Sequence, residues 1–433
     1  MITAPLPPQG EPVTVNDVRA GRVAERHAQL AKRHGSVFGN AVPGGWPAGA
    51  CIVLVGDAAL ASATGDSRAA LSSEKGWAPL LGTRFGRAVI NVDEPQHAQD
   101  RRRWAAAFTP AEFERCLSAL RPLVASRSEQ WSNRTSFDAY PATRELAFAG
   151  IATTLGGFAD DATLERILDP LSAVLDPTAD GESELDRHHR VAPLREALEA
   201  LLRAHLAAPR SEGTVAPGLI ELLRRQDPTL GDNALLAHLN LLLITGLETT
   251  ASLMAWVLHY ASMARWRAWL REELDAGPAP VNDSALAALE TLPRLDAFVR
   301  EAGRLHPPVV CAPRVCTEDA VIAGVRIPAG SNVVLGYGGT NLLAASYDDA
   351  AAFRPQRWTA TQLPRAATFG GGHRLCIGMR FAQLELKAVL AHVVTRYDIE
   401  GGDAGMPVNA GFWNARPTGG PRLTLRKRHG TSA

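Results

Sequence analysis

Apolar residues recur at three- and four-residue spacing over 97–132, 139–158, 192–208, 232–263 and 377–397. Ala, Leu, Arg and Glu fill much of the rest, so the pattern predicts helices. Short runs of β-branched and apolar residues predict strands: CIVLVG from Cys51, AVIAGVRIPAG from Ala320, NVVLGYG from Asn332 and PRLTLRKR from Pro421. Turn chemistry at Ala329-Gly330 separates two of these runs. The fold class is therefore mainly α with small β-sheets (α+β), the sheets lying near the N-terminus and in the later half. No internal repeat at solenoid periods is present.

Two helical segments carry polar groups that ask for an explanation. LAHLNLLLITGLETTASLMAWVLHY, Leu236 to Tyr260, is apolar on almost every face and predicts a buried helix, yet Thr245, Glu248, Thr249 and Thr250 stand in its middle. Either the hydroxyls bond back to carbonyls one turn earlier and Glu248 meets an arginine, or the group performs chemistry. In LPRLDAFVREAGRLHPP, Pro293 suits a first helical turn and Pro307-Pro308 ends the helix. Glu301 and Arg304 share a face there, as many solvated pairs do.

Composition narrows the class. A chain of 433 residues can hold two or three domains, but 46% of it is hydrophobic and no Ser/Gly- or Pro-rich linker interrupts it. One domain over residues 1–433 is expected. Lys+Arg and Asp+Glu balance at 45 each, so no global field favours nucleic acid or an anionic membrane. With no basic-then-apolar leader pattern and no run of ~18 apolar residues, a cytoplasmic location is expected.

The five cysteines are odd in number and irregularly spaced, which argues against a disulfide framework. One of them, Cys376, sits in FGGGHRLCIG, Phe369 to Gly378, with no second Cys or His at zinc-site spacing. Neither a zinc site nor a disulfide accounts for a lone cysteine between glycines at the start of a helix. Glycines permit turns at φ > 0 closed to other residues, and helix-start N–H groups can hold a sulfur as an anion.

These pieces together resemble the cytochrome P450 family of haem-thiolate monooxygenases, in order from about residue 90 to 420. The cysteine segment matches F-x-x-G-x-R-x-C-x-G at Phe369, Gly372, Arg374, Cys376 and Gly378. Glu301 and Arg304 match E-x-x-R, FRPQRW supplies Arg357, TGLETT is similar to [AG]-G-x-[DE]-T-T, and HAQDRRRW carries H-x-x-x-R at His97 and Arg101. Thr245 departs from the usual small apolar residue, and TNLLAASYDD departs from A-N-R-D-P.

The resemblance implies a P450 fold, with a helix-rich and a smaller β-rich lobe around a b-type haem. Cys376 would be its axial ligand, with Phe369, Gly370, Gly378 and Gly246 lying against it. His97, Arg101, Arg314 and Arg374 would meet the propionates, with the Trp104 indole as a further donor. Glu301, Arg304 and Arg357 would form an interior ion-pair network. Glu248 and Thr249 would deliver protons to the oxygen side, and Gly246 would leave room for O2. An apolar pocket of Trp77, Leu80, Leu81, Leu242, Thr245, Val309, Val310, Phe412 and Trp413 would take a medium-sized hydrophobic metabolite, as in secondary metabolism. Electrons would come from a ferredoxin and an NAD(P)H-dependent reductase, docking near Arg102, Arg103 and Arg380. A haem sensor or carrier is the alternative; it would need Cys376 but not the Glu248–Thr249 pair.

Overall fold

Thr109 and Pro110 divide the first long helical stretch in two. The Thr109 hydroxyl accepts the Glu112 N–H at 3.3 Å and Pro110 takes the first helical position, so a new helix starts there. The computed structural model describes residues 4–42, 49–65, 68–81, 85–158, 160–176, 184–208, 218–276, 285–360, 365–401 and 407–428. Helices α1 (Gln96–Ala105), α3 (Ala139–Ile151), α4 (Asp232–Ser262) and α6 (Met379–Arg396) supply residues to the site, and α2 (Pro110–Ser132) and α5 (Pro293–Leu305) pack against them.

The predicted stretch 139–158 ends early as regular helix. After α3 the chain widens into a π turn over Ala152–Gly156, and Gly157 closes it at φ +75°. The stretch 192–208 belongs to a longer helix, Glu184–Ala207. Shorter helices such as Val23–His34, Asp57–Thr64 and Asp161–Leu175 lie outside the periodic stretches. The last of these continues through Pro170, which sequence rules read as a breaker.

α4 is long and apolar enough to cross a membrane, but 78% of its most apolar window is buried inside the protein. It packs on α3, α5 and α6 and runs through the helical core. All-round apolarity here is the mark of a helix solvated by protein.

The larger sheet has five strands: β1 (Val37–Val42), β2 (Gly49–Leu54), β3 (Leu71–Ser72), β4 (Cys311–Cys316) and β5 (Asn332–Gly336), in the order β1-β2-β5-β4-β3. β2 and β5 are parallel, with Ile52 opposite Val333 and Leu54 opposite Leu335. β4 runs antiparallel to β5, Arg314 opposite Val333. The run AVIAGVRIPAG forms a hairpin of Ala320–Ile322 with Val325–Ile327, turned at Ala323 and Gly324. Arg422–Lys427 pairs with Tyr397–Gly401 and with Phe137–Asp138.

Glu301 and Arg304 are fully buried, so the reading of this pair as a solvated one gives way to an interior network. Arg304 donates to both Glu301 oxygens at 2.8 and 2.9 Å, and to the carbonyls of Asn341 and Ala350 at 2.9 and 2.7 Å. Arg357 Nε, the Arg354 N–H and the Trp358 indole complete the carboxylate's partners at 2.8–3.0 Å. A buried charge survives when its hydrogen-bonding capacity is filled, and here it ties α5 to the segment leading into the cysteine loop.

Candidate active site

The cysteine loop is shaped by its glycines. Gly370 and Gly372 stand at φ +73° and +61°, and a Cβ on Gly372 would meet Thr64 at 2.6 Å. The Cys376 N–H donates to the Phe369 carbonyl at 3.0 Å, closing the loop three residues before α6 begins. Cys376 is exposed to a cavity, and the Gly378 N–H points at its sulfur. Desolvation raises the thiol pKa, while the Gly378 N–H and the Arg101 charge pull it down.

The cavity measures about 280 Å³; a second of about 490 Å³ shares Tyr337, Thr368, Phe369, Gly370 and Leu375 with it. Cys376, Phe369, Gly370 and Gly378 face it from the loop, and Leu242, Thr245, Gly246 and Thr249 from α4. His97, Arg101, Arg314 and Arg374 crowd another part of its wall.

Haem fits this residue set. Arg314 is 6% exposed and has no carboxylate ion pair among the described residues; its Nη1 donates to the Pro313 carbonyl at 2.6 Å. Burial lowers the pKa of Arg314 and brings that of Arg374 down to about 10. Buried guanidiniums beside an apolar cavity call for an anionic ligand, and two propionates supply it. Arg101 reaches the Leu375 carbonyl at 2.7 Å, Arg374 the Val92 carbonyl at 2.8 Å and Asp93 at 3.6 Å, and His97 Nδ1 bonds Glu94 at 2.8 Å. Trp104 departs from expectation, since its indole donates to His238 Nδ1 at 3.0 Å.

On α4, Thr249 faces the cavity and Glu248 does not. The Thr245 and Thr249 hydroxyls donate to the carbonyls of Leu241 and Thr245 at 2.7 and 2.6 Å. Glu248 accepts from the Tyr140 hydroxyl at 2.5 Å and from Arg144 Nε at 2.6 Å, both on α3. Arg144 also reaches Asp176 at 3.4 Å, which Arg416 holds at 3.0 Å. Successive helical residues point about 100° apart, so an acid and an alcohol side by side in sequence face different surroundings. Gly246 lines the cavity, but its missing Cβ makes room for a neighbour: an added one would stand 2.6 Å from Ile151 Cγ1.

Of the residues expected around a substrate, Trp77, Leu242, Thr245 and Val309 line the cavity. Val310, Phe412 and Trp413 do not; they pack with Val23, Phe38 and Val53 in a separate cluster. Val310 points opposite to Val309 because neighbours on extended chain alternate faces. Phe412 and Trp413 sit at the tip of the hairpin Val408–Ala410 with Arg416–Thr418, beside Gly411 at φ +142°; Phe412 meets His27 edge-on and Trp413 packs on Phe412. Leu80 is half-buried outside the cavity and Leu81 leans on the helical core. Val89, Ile90, Phe108, Ile151 and Leu155 line the cavity without a sequence expectation. The Thr-Pro break could have marked Phe108, but the others carry no signal beyond apolarity.

The cations expected to dock a redox partner are differently engaged. Arg103 pairs with Asp100 at 3.0 Å and Asp227 at 2.5 Å, and Arg380 binds Glu290 and lies over Phe113. Arg102 is exposed.

A thiol at the foot of a helix, an apolar cavity under a buried helix and a guanidinium-rich wall define a haem-thiolate class of site. The Cytochrome P450 family model matches residues 180–415, and the chain belongs to that family. It is 24% identical over 339 residues to pentalenene oxygenase of Streptomyces avermitilis, covering 72% of this chain and 74% of that protein. It is 27% identical to cytochrome P450 135B1 of Mycobacterium tuberculosis, covering 85% and 79%. A retinoic acid-bound cyanobacterial CYP120A1 shares the fold at TM-score 0.81 and 22% identity, over 98% of this chain and all of that one. The protein is thus a monooxygenase that takes haem on a cysteine thiolate and uses O2, a small substrate and a redox partner.

Proposed function

We propose that residues 1–433 form one catalytic domain that oxidises a medium-sized hydrophobic metabolite in secondary metabolism, in the cytoplasm. The observation that carries this reading is Cys376 facing an apolar cavity opposite Thr249, beside four basic residues. The cofactor in this reading is a b-type haem, because the chain has no C-x-x-C-H attachment motif. Cys376 would hold it through the thiolate, and His97, Arg101, Arg314 and Arg374 would meet its propionates. Bound there, the haem would supply O2 activation, in which two electrons and two protons are consumed, one oxygen atom enters the substrate and the other leaves with both protons as water.

The chain's own residues do the rest. Leu242, Val309 and Trp77 exclude water and orient an apolar substrate, and pentalenene and retinoic acid in the relatives' names fit such a lining. Thr249 can turn its hydroxyl from the Thr245 carbonyl toward the cavity and pass a proton there. Glu248 serves as the proton reservoir behind it, and must release Arg144 or Tyr140 to do so. A ferredoxin reduced by an NAD(P)H-dependent reductase is the proposed electron source, with Arg102 the exposed cation available to steer it.

Ligation by Cys376 is tested on Cys376→His. The ferrous carbon monoxide complex should lose its thiolate-type absorption while haem stays bound by the apolar cavity. A thiolate-type spectrum that persists in the variant would place the ligand elsewhere.

A further inference from the structure

A third cavity, separate from both of those beside Cys376, lies between α2, α6 and the helix Ala285–Glu290, at the end of α6 remote from Cys376. It measures about 280 Å³, near the lower limit of about 300 Å³ for small-molecule sites. Leu117, Val124, Leu289, Ala388 and Ala391 give it apolar walls. Its polar groups are the nitrogen-bearing side chains of Arg121, His392 and Arg396.

Those nitrogens are the unusual part. His392 is only 9% exposed and its Nε2 is buried without a hydrogen-bond partner; Arg121 Nη2 is buried and unpartnered too. Neither Arg121 nor Arg396 has a carboxylate ion pair among the described residues. Glu129, which touches Tyr397 near His392, is already held by Lys427 at 2.7 Å. Leaving a buried donor unsatisfied costs about 1–3 kcal/mol per group, so two in one apolar pocket point to a ligand that accepts from both. Helical spacing makes this a built arrangement: His392 and Arg396 are one turn apart on α6, and Leu117, Arg121 and Val124 share a face of α2.

We propose that this cavity binds a small organic carboxylate, its hydrocarbon body against the leucines and its oxygens on Arg121, His392 and Arg396. Burial and the Arg396 charge bring the His392 pKa down to about 4, so at neutral pH the ring is uncharged. With its proton on Nε2 the uncharged ring donates one directed bond to the ligand, and the two guanidiniums supply the charge. A purely inorganic anion would leave the apolar walls unfilled, and a neutral apolar molecule would leave the nitrogens unpaired.

The test is calorimetric titration of the haem-loaded protein with cyclohexanecarboxylate, with imidazole saturating the iron so that the active cavity is occupied. One saturable event is expected. Arg121→Leu and Arg396→Leu should each weaken it roughly tenfold or more, the loss of one charge-assisted contact. Ala125→Trp, at an exposed position on the cavity's rim, should abolish it without removing a charge. The haem absorption spectrum should stay that of the parent in all three, which separates loss of this site from loss of the fold. No saturable binding, undiminished affinity in the variants, or equal binding of cyclohexylmethanol would overturn the assignment.

Discussion

Glu248 is the residue whose surroundings differ most from what its neighbours in sequence suggest. It is buried, and its oxygens are taken by Tyr140 and Arg144. Tyr140 is thereby held in its neutral donor form, its pKa raised by burial and by the Glu248 charge. Removing one member of such a buried pair leaves the other charge uncompensated, at a typical cost of roughly 3–5 kcal/mol. Arg144→Leu should fall near the lower end, about 3 kcal/mol, because Tyr140 still donates to Glu248. Adding Glu248→Gln should recover much of that loss, since no unpaired buried charge then remains and Arg416 still holds Asp176. Urea denaturation midpoints of the two single variants and the double variant measure the coupling, and additive losses would exclude it.

At the scale of elements, α6 places one carboxyl where no partner reaches it. Glu385 is buried, its Oε1 lacks a partner, and Gly150 on α3 approaches so closely that a Cβ there would stand 2.5 Å from that oxygen. Burial pushes its pKa up to about 8. The folded protein therefore keeps this proton while the unfolded chain, with the ordinary value of 4.5, gives it up. Stability from this group is present below about 4.5 and falls as pH rises toward about 8. Glu385→Gln should flatten that slope and raise the denaturation midpoint at pH 8 more than at pH 5. Equal shifts at both would mean that the carboxyl is ionised in the fold.

The elements also show what a sequence can display. α4 and α6 followed from periodicity alone, because their apolar spacing runs unbroken to within about two residues of the true ends. The cysteine loop was legible because its glycines and Cys376 lie within ten consecutive residues. Phe412 and Trp413 were not, because a hairpin tip can turn either way and only tertiary packing with the cluster around Val23, Phe38 and Val53 decides which. The partners of Glu248 were hidden for the same reason. Arg144 lies 104 residues away, and nothing local selects it from among the 45 Lys and Arg side chains.

Over the whole molecule, buried histidines set the response to acid. His27, His259 and His392 have pKa values lowered to about 4 and His306 to about 3, chiefly by burial. His306 lies flat against Trp256 at 3.5 Å and shares a hydrogen bond with Tyr260 at 2.8 Å, so charging it would disturb a packed aromatic stack. Unfolded histidines bind protons below about 6.5, where these stay neutral in the fold. Their contribution to stability is present above about 6.5 and is lost as pH falls toward 4. Unfolding at pH 5.5 should take up about one more proton per buried histidine than at pH 7.5. Calorimetry in buffers of different ionisation enthalpy counts those protons, and equal uptake at both pH values would show that the histidines are charged in the fold.

The contact between Gly246 and Ile151 restricts how the catalytic cavity can be reshaped. Both residues line it, so each is an obvious position for a directed-evolution library. Alanine at 246 has nowhere to put its methyl group while isoleucine stands at 151. Screening the two positions separately would discard every variant in which a larger residue on α4 is tolerated only beside a smaller one on α3. Randomised together, they offer a route to altered selectivity that single-site scanning cannot sample.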